Sequence, residues 1–334
     1  MSANLFPNQA YSPADKYLWD AWFTDDPDGR HRAFYLQAPN SFTPDQRHDQ
    51  ASIGHAVSAD YANWQEIGTA LNPGERGAWD DIALWTGSVI VSQETGNYHH
   101  FYTGRGSRDP FAQKVGRAVS TNLVEWRKTT LDRPLLEAVQ PYSTYSGADR
   151  GFPAWRDPYL FRNNHNGQYE MLITARLGDE PYNGCVARAT SPELDNWTVT
   201  APLLAPGRYD EMEVPQLVNH DGDSYLFFST WSKGYNPGWK DAIGGAWSGL
   251  HAFYARGSDF SRPFLPVNDN GVVAANGKEM YSIRLLDRLP NSNDYRAIGW
   301  LNENPGKSEF VGALSTPFTV TIDNGEVGVR MLNS

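Results

Sequence analysis

IGHAVSADYANW at 53–64 returns as VGRAVSTNLVEW at 115–126 and VARATSPELDNW at 186–197, with shorter echoes in LHAFYARGSDF at 250–260 and FVGALSTPF at 310–318. The five starts lie 62, 71, 64 and 60 residues apart. That period is longer than the roughly 40–50 residues of common propeller repeats, but it suits blades of four strands joined by long loops. Five copies fill the 334 residues. The spacing predicts an all-β fold: a five-bladed β-propeller with four-stranded antiparallel blades around a central acidic pocket, forming one catalytic domain over 1–334.

Local pattern agrees. YHHFYTG, YEMLITA, SYLFFST and VIVS are short, rich in aromatic and β-branched residues, and bounded by turn formers such as ETGN (94–97), NHNG (164–167) and HDGD (220–223). No segment reads as a long, capped amphipathic helix. VNDNGV (267–272) reads as another turn rather than an ion-binding loop.

Three acids stand ahead of three aromatic strands. Asp20 in LWDAWF precedes AFYLQ (33–37), Asp157 in WRDPYLF precedes EMLIT (170–174), and Glu213 in MEVPQLV precedes LFFST (226–230). The interval to the strand centre is 14 residues each time (20 to 34, 157 to 171, 213 to 227). First strands line the axis of a propeller, so acids repeated at one level should converge there. The same count puts Gly87, flanked by Thr86 and Ser88, at that level in the second blade and Arg284 in the fifth.

Three carboxylates in one pocket repel one another, and burying them costs free energy unless one is protonated or each has partners. Arg156 and Arg284 are placed to offset part of that cost. The chemistry matched to such a set is glycoside cleavage, in which one acid is the nucleophile and another, with raised pKa, protonates the leaving oxygen. Trp19, Trp22, Trp85 and Trp155 flank these positions and offer aromatic faces to a sugar. Trp64, Trp126 and Trp197 recur at one place in the repeat and read as packing residues.

Charge and composition narrow the partners. Lys and Arg number 28 against 39 Asp and Glu, a net charge of −11, which disfavours nucleic acid and anionic membrane surfaces. No apolar run approaches about 20 residues, and MSANLFPNQAYS is not a basic segment followed by an apolar one. A cytoplasmic location is expected, with secretion open to a chain whose leader has been removed. The single Cys185 cannot form an internal disulfide and reads as a small buried apolar residue. No metal or cofactor is implied; the expected partner is a small carbohydrate, and the oligomeric state is open.

At this point a family comes into view. FYLQAP, SIGHAVSADYANW, WTGSVI, FYTGR, WRDPYLF and MEVPQL, in this order, resemble the blade motifs of glycoside hydrolase families 32 and 68, the invertase and levansucrase clan. Family 32 typically reads WMNDPNG, FYQ, WGHAVS, SGS, FYTG, FRDP and ECP; family 68 reads WDSW or similar at the first acid. The likeness is strong through the first four blades and weak in the fifth, and a single propeller without the C-terminal β-sandwich usual in family 32 is expected. The resemblance implies a retaining enzyme acting on β-fructofuranosides such as sucrose or fructooligosaccharides, by hydrolysis or fructosyl transfer. It implies Asp20 as nucleophile, Asp157 as transition-state stabiliser and Glu213 as general acid/base. Arg156 would steady the fructosyl hydroxyls or the neighbouring acids, and Gln37, Thr86 and Ser88 match positions that line the sugar site. TDDPDG (24–29) mimics the family 32 first-acid motif, but Asp26 lies only 8 residues before Phe34, so the spacing selects Asp20. Two Gly- and aromatic-rich loops, PYSTYSGADRGFP (141–153) and KGYNPGWKDAIGGAWSG (233–249), are placed to form an acceptor rim. Other readings are an inverting family 43-like arabinofuranosidase or xylosidase, a sugar-binding propeller without catalysis, and a phosphorylase-type propeller.

Overall fold

The aromatic runs pair into five antiparallel sheets that follow one another along the chain. The protein is described by a computed structural model over residues 7–143, 153–245, 247–305, 307 and 309–331. Most of the first expected rim loop, 144–152, lies outside the described residues. Blade 1 runs Lys16–Asp25, His31–Pro39, Ser52–Ser58, Trp64–Leu71; blade 2 runs Ala83–Val91, Tyr98–Gly106, Asp109–Ser120, Arg127–Lys128. Blade 3 runs Trp155–Arg162, Tyr169–Arg176, Gly184–Ser191, Thr198–Leu204. Blade 4 runs Glu213–His220, Asp223–Thr230, Gly249–Ala255, its fourth place shared by Leu265–Pro266 and Val272–Ala274.

Blade 5 keeps the four-place pattern with broken strands. Met280–Arg288 pairs with Asp294–Glu303, whose other edge takes both Phe310–Ser315 and Phe318–Asp323. Pro317 separates those two pieces, as expected of a residue with no N–H to give a ladder. The outer place is filled from both ends of the chain: Gln9–Tyr11 pairs with Phe310–Ser315, and Glu326–Met331 with Phe318–Asp323. The first and last strands thus meet in one sheet, which closes the five-bladed propeller. Among the described residues no helix is long and apolar enough to cross a membrane.

The repeated SADYANW-type segment is a turn with a tryptophan clip. Tyr61, Leu123 and Leu194 take positive φ (62°, 64°, 73°). Three residues later Trp64, Trp126 and Trp197 donate their indole N–H to the carbonyl oxygens of those same residues, at 2.9, 3.2 and 3.1 Å. Each ring then packs on neighbouring aromatics: Trp126 of blade 2 meets Phe34 of blade 1, and Trp197 of blade 3 meets Phe101 of blade 2. Their expected packing role follows from this geometry. Cys185 is buried, which pushes its thiol up to about 12.

Every first strand carries a β-bulge at the axial level. The register shifts between Trp19 and Ala21, Trp85 and Gly87, Arg156 and Tyr159, Glu213 and Gln216, and Tyr281 and Arg284. Asp20, Asp157, Val214 and Ser282 have φ of 35°, 59°, 47° and 50° there, a region non-glycine residues seldom occupy and one that bulges use to re-aim side chains.

This register corrects the count of 14. The residues level with Asp20 and Asp157 are Thr86, Val214 and Ser282, whereas Glu213 stands one place earlier, with Trp19, Trp85, Arg156 and Tyr281. Gly87 and Arg284 lie beyond the bulge. A count along the chain misses this because a bulge adds a residue to one strand and none to its partner.

Hydrogen bonds between first strands bind the blades around the axis. Ser88 Oγ donates to Pro158 O at 2.7 Å and accepts the Leu160 N–H at 3.1 Å. Between blades 4 and 5, the Gln216 amide donates to Leu285 O at 2.6 Å and accepts its N–H at 3.0 Å. Within blade 2, Gly87 lets the first two strands approach closely, since a Cβ there would lie 2.0 Å from Phe101 O on the second strand. Gly87→Ala should therefore force the first two strands apart and lower stability by about 1–3 kcal/mol or more, read as a reduced denaturation midpoint at unchanged m-value.

Candidate active site

The axial strands bring Asp20 and Glu213 each within electrostatic reach of Asp157. Asp20, only partly exposed, accepts Thr86 Oγ1–H on Oδ2 at 3.0 Å and the Trp300 indole N–H on Oδ1 at 2.9 Å. One donor comes from blade 2 and the other from blade 5, so the carboxylate is fixed at both oxygens. Burial and the Asp157 charge outweigh those bonds and the Arg284 cation, and push Asp20 up to about 6.

Asp157 is almost wholly buried. Its Oδ2 accepts Thr174 Oγ1–H at 2.9 Å and the Val214 N–H at 3.0 Å, while its own N–H donates to Thr103 Oγ1 at 3.0 Å. These bonds tie the strained bulge of blade 3 to blades 2 and 4 and hold one carboxylate edge in place.

Glu213 shares a guanidinium with a second glutamate. Arg156 Nη2 lies 2.7 Å from Glu213 Oε1 and 2.8 Å from Glu211 Oε2, and its Nε is 3.6 Å from Asp157 Oδ2. Tyr281 donates its hydroxyl to Glu213 Oε2 and stacks on Trp231 at 4.7 Å between centroids. Burial is the strongest influence on Glu213; Arg156 and Tyr281 favour its anion, Glu211 and Asp157 oppose it, and the result is a carboxyl pushed up to about 7. Glu211 goes the other way. Burial opposes its ionisation as well, but Arg156, with Arg176 and Lys233 behind it, holds it below the usual carboxylate range. One cation between two acids thus leaves one ionised and lets the other keep a proton near neutrality.

Sequence and fold comparisons place the chain. The model of the glycosyl hydrolases family 32 N-terminal domain matches residues 13–330. The chain belongs to glycosyl hydrolase family 32. An extracellular sucrase of Zymomonas mobilis is 26% identical over 301 residues, covering 78% of this chain and 71% of that protein. A levanase of Bacillus subtilis is 23% identical over 349 residues, covering 98% of this chain but 47% of that protein. In fold, the family 32 chain is similar to an inulosucrase from Halalkalicoccus jeotgali bound to kestose, with TM-score 0.79, 22% identity, and coverage of 98% and 90%. Bacillus subtilis levansucrase follows at TM-score 0.74, 15% identity, and coverage of 97% and 88%.

The other expected site residues of this family 32 chain divide into two groups. Arg156 contacts the acids directly, Thr86 bonds Asp20, and Arg284 lies behind them, its Nη1 donating to Val214 O and Pro215 O at 2.9 and 3.0 Å. Trp85 is half-buried, one face toward the Arg105 guanidinium and its N–H on His48 O at 2.8 Å. Trp19 is buried beneath Arg47 and edge-on to His48.

The second group is turned to structure. Trp22 donates to His100 Nε2 at 3.0 Å inside the core, and Trp155 is buried against Tyr142. Gln37 donates to Ser52 Oγ and Thr69 Oγ1 toward the outer strands of blade 1, while the one Ser88 hydroxyl proton is used on Pro158 O. Alternation along a strand sends neighbours to opposite faces, so flanking an acid in sequence does not bring a residue to its side. Asp26 accepts the N–H of Asp28 and Arg30 in the hairpin turn and pairs with Arg32 at 2.8 Å.

Three contributors escaped the sequence reading. Tyr281 occupies the blade 5 place that Glu213 holds in blade 4, a signal visible only once bulges are aligned. Glu211, two residues before Glu213, was legible as a paired acid in EMEV. Trp300 comes from the second strand of blade 5, and nothing in its local sequence marks it.

The raised Glu213 carboxyl has a consequence for stability. Below its unfolded value near 4.5 it is protonated in both states; above about 7 it is ionised in both, and the folded state bears the unfavourable charge. Its stabilising contribution is therefore full at low pH and is lost as pH rises through about 7. Glu213→Gln should match the parent in thermal midpoint near pH 4 and exceed it near pH 8, measured by unfolding scans across that range.

Proposed function

We propose that this protein acts on β-fructofuranosides by double displacement, as a hydrolase or fructosyl-transferring enzyme. One observation carries the reading: Asp20 is fixed at both oxygens by Thr86 and Trp300, while Glu213, sharing the Arg156 guanidinium with Glu211, has the higher pKa of the two, about 7 against about 6, which suits Asp20 to attack and Glu213 to give a proton. Asp20 attacks the anomeric carbon, the glycosidic bond breaks, and the leaving oxygen takes the Glu213 proton. Water or a sugar hydroxyl then attacks the fructosyl ester, giving its proton to Glu213 and freeing Asp20. Asp157, fixed through Oδ2, directs Oδ1 to fructosyl hydroxyls, and Arg156 and Arg284 keep positive charge beside the acids. The family 32 match supports the glycoside chemistry, and relatives named sucrase and levanase support fructosides as the substrate class.

Sucrose, a short inulin-type oligosaccharide and levan, each incubated with the protein and resolved by product, test the proposal. Fructose or a fructosylated acceptor should appear with retained anomeric configuration, and Glu213→Gln should lower the rate by about 10²–10⁴. No fructosyl release from any of the three would overturn it.

The two raised acids also set a pH profile. Loss of the ionised Asp20 should define an acidic limb near 6, and loss of the Glu213 proton an alkaline limb near 7. A bell in kcat/KM between those limbs is expected, and Glu213→Gln should abolish the alkaline one.

A further inference from the structure

Arg156 is the hinge of the site, and its position has alternatives. Three carboxylates surround it, and Nη1 already lies 3.5 Å from Glu211 Oε1 while Nη2 lies 2.8 Å from Glu211 Oε2. A small rotation would convert this into a parallel two-bond fork on Glu211, the geometry a guanidinium and a carboxylate favour. That fork would draw Nη2 away from Glu213. Something must hold the guanidinium between the two.

The candidate is Gln113, near the start of the third strand of blade 2, Asp109–Ser120. Its side chain reaches across the blade boundary and is 4% exposed. Its Oε1 accepts from Arg156 Nη1 at 3.3 Å and from the Trp155 backbone N–H at 3.1 Å. Both partners are donors, which fixes the amide with its oxygen toward them. A single acceptor thus holds the guanidinium and also the backbone that leads into the Asp157 bulge. The opposite atom, Nε2, is buried without a hydrogen-bond partner among the described residues. A buried donor left unpaired costs about 1–3 kcal/mol, so packing alone would favour an apolar residue at this place.

Neutrality matters as much as position. A carboxylate at 113 would add a fourth acid around Arg156 and compete for the charge that Glu213 needs. An amide accepts the same bond without doing so. We propose that Gln113 is a positioning residue for the acid/base pair: it pins the Arg156 guanidinium in the bridge between Glu211 and Glu213. This rests on the reading of Glu213 as acid/base only for its catalytic consequence, since the pinning itself is a property of the ligand-free protein. The groups facing Glu213 are Arg156 and Asp157 from blade 3, Tyr281 from blade 5 and Glu211 ahead of its own strand, with Arg176 and Lys233 acting on Glu211.

The test compares Gln113→Leu and the isosteric Gln113→Glu with the parent. The protein carries ¹³C-labelled glutamate side chains, and the Glu213 carboxyl signal is assigned by its disappearance in Glu213→Gln. In Gln113→Leu, Arg156 should close on Glu211 and the Glu213 midpoint should rise by roughly one pKa unit as its cation moves off. In Gln113→Glu the added charge should raise it at least as far, and the alkaline limb of kcat/KM should move with it in both variants. A residue that only supports the fold would lower the thermal midpoint and leave the titration in place. An unchanged Glu213 midpoint in folded Gln113→Leu overturns the proposal, and Gln113→Met, which lacks the amide acceptor as well, carries the test if Gln113→Leu does not fold. Because the titration needs no substrate, inactivity toward fructosides would undo the proposed function alone, and an unmoved midpoint would undo the role of Gln113 alone.

Discussion

Carboxylates crowded onto one axis must not all ionise, and much of the interior is arranged around that constraint. Charges of one sign within a few ångströms in a weakly polar interior repel strongly, so the favourable state divides protons unevenly. Arg156 makes the division. Its guanidinium touches Glu211 and Glu213 together, holding the first as an anion while the second is lifted by burial and by that anion. Asp20 takes an indole and a hydroxyl as its donors, which fix its direction without neutralising it.

The scaffold makes this possible by borrowing from neighbours. No blade completes its own acid: Asp20 depends on blades 2 and 5, Asp157 on blades 2 and 4, and Glu213 on blades 3 and 5. The site therefore exists only when the ring is closed. Closure is carried by the outer strands, where Gln9–Tyr11 joins the blade formed by the end of the chain, and by tryptophans such as Trp126 and Trp197 wedged against the preceding blade. The bulges are the cost of aiming side chains inward: four non-glycine residues stand at positive φ along the axis. Such strain persists because hydrogen bonds from adjacent blades over-determine it.

Much of this was legible in the sequence for a simple reason. Blades repeat, and a repeat imposes the same turn, the same clip and the same strand period at regular intervals, so SADYANW, STNLVEW and SPELDNW declared the architecture. Motif spacing also separated Asp20 from Asp26, because the hairpin turn that Asp26 caps lies at the other end of the strand. What misled was adjacency. Trp22, Gln37 and Ser88 flank or resemble site positions, yet their N–H and O–H donors go to the core, to outer strands or to the neighbouring blade.

By itself, then, the chain determined the β repeats, their number, the three acids and the family, since all of these are written in local patterns of residue type and interval. Tertiary structure alone decided which residue stands level with which and which donors meet each carboxylate. It also set Tyr281 against Glu213, Trp300 against Asp20 and Gln113 against Arg156, and turned the Trp22 indole N–H to His100 and the Gln37 amide N–H to Ser52 and Thr69. The physical reason is that a bulge shifts register without leaving a mark in composition, and that hydrogen bonds between blades join residues as far apart as Asp20 and Trp300. Contacts of that kind are fixed by closure of the ring, which no local segment encodes.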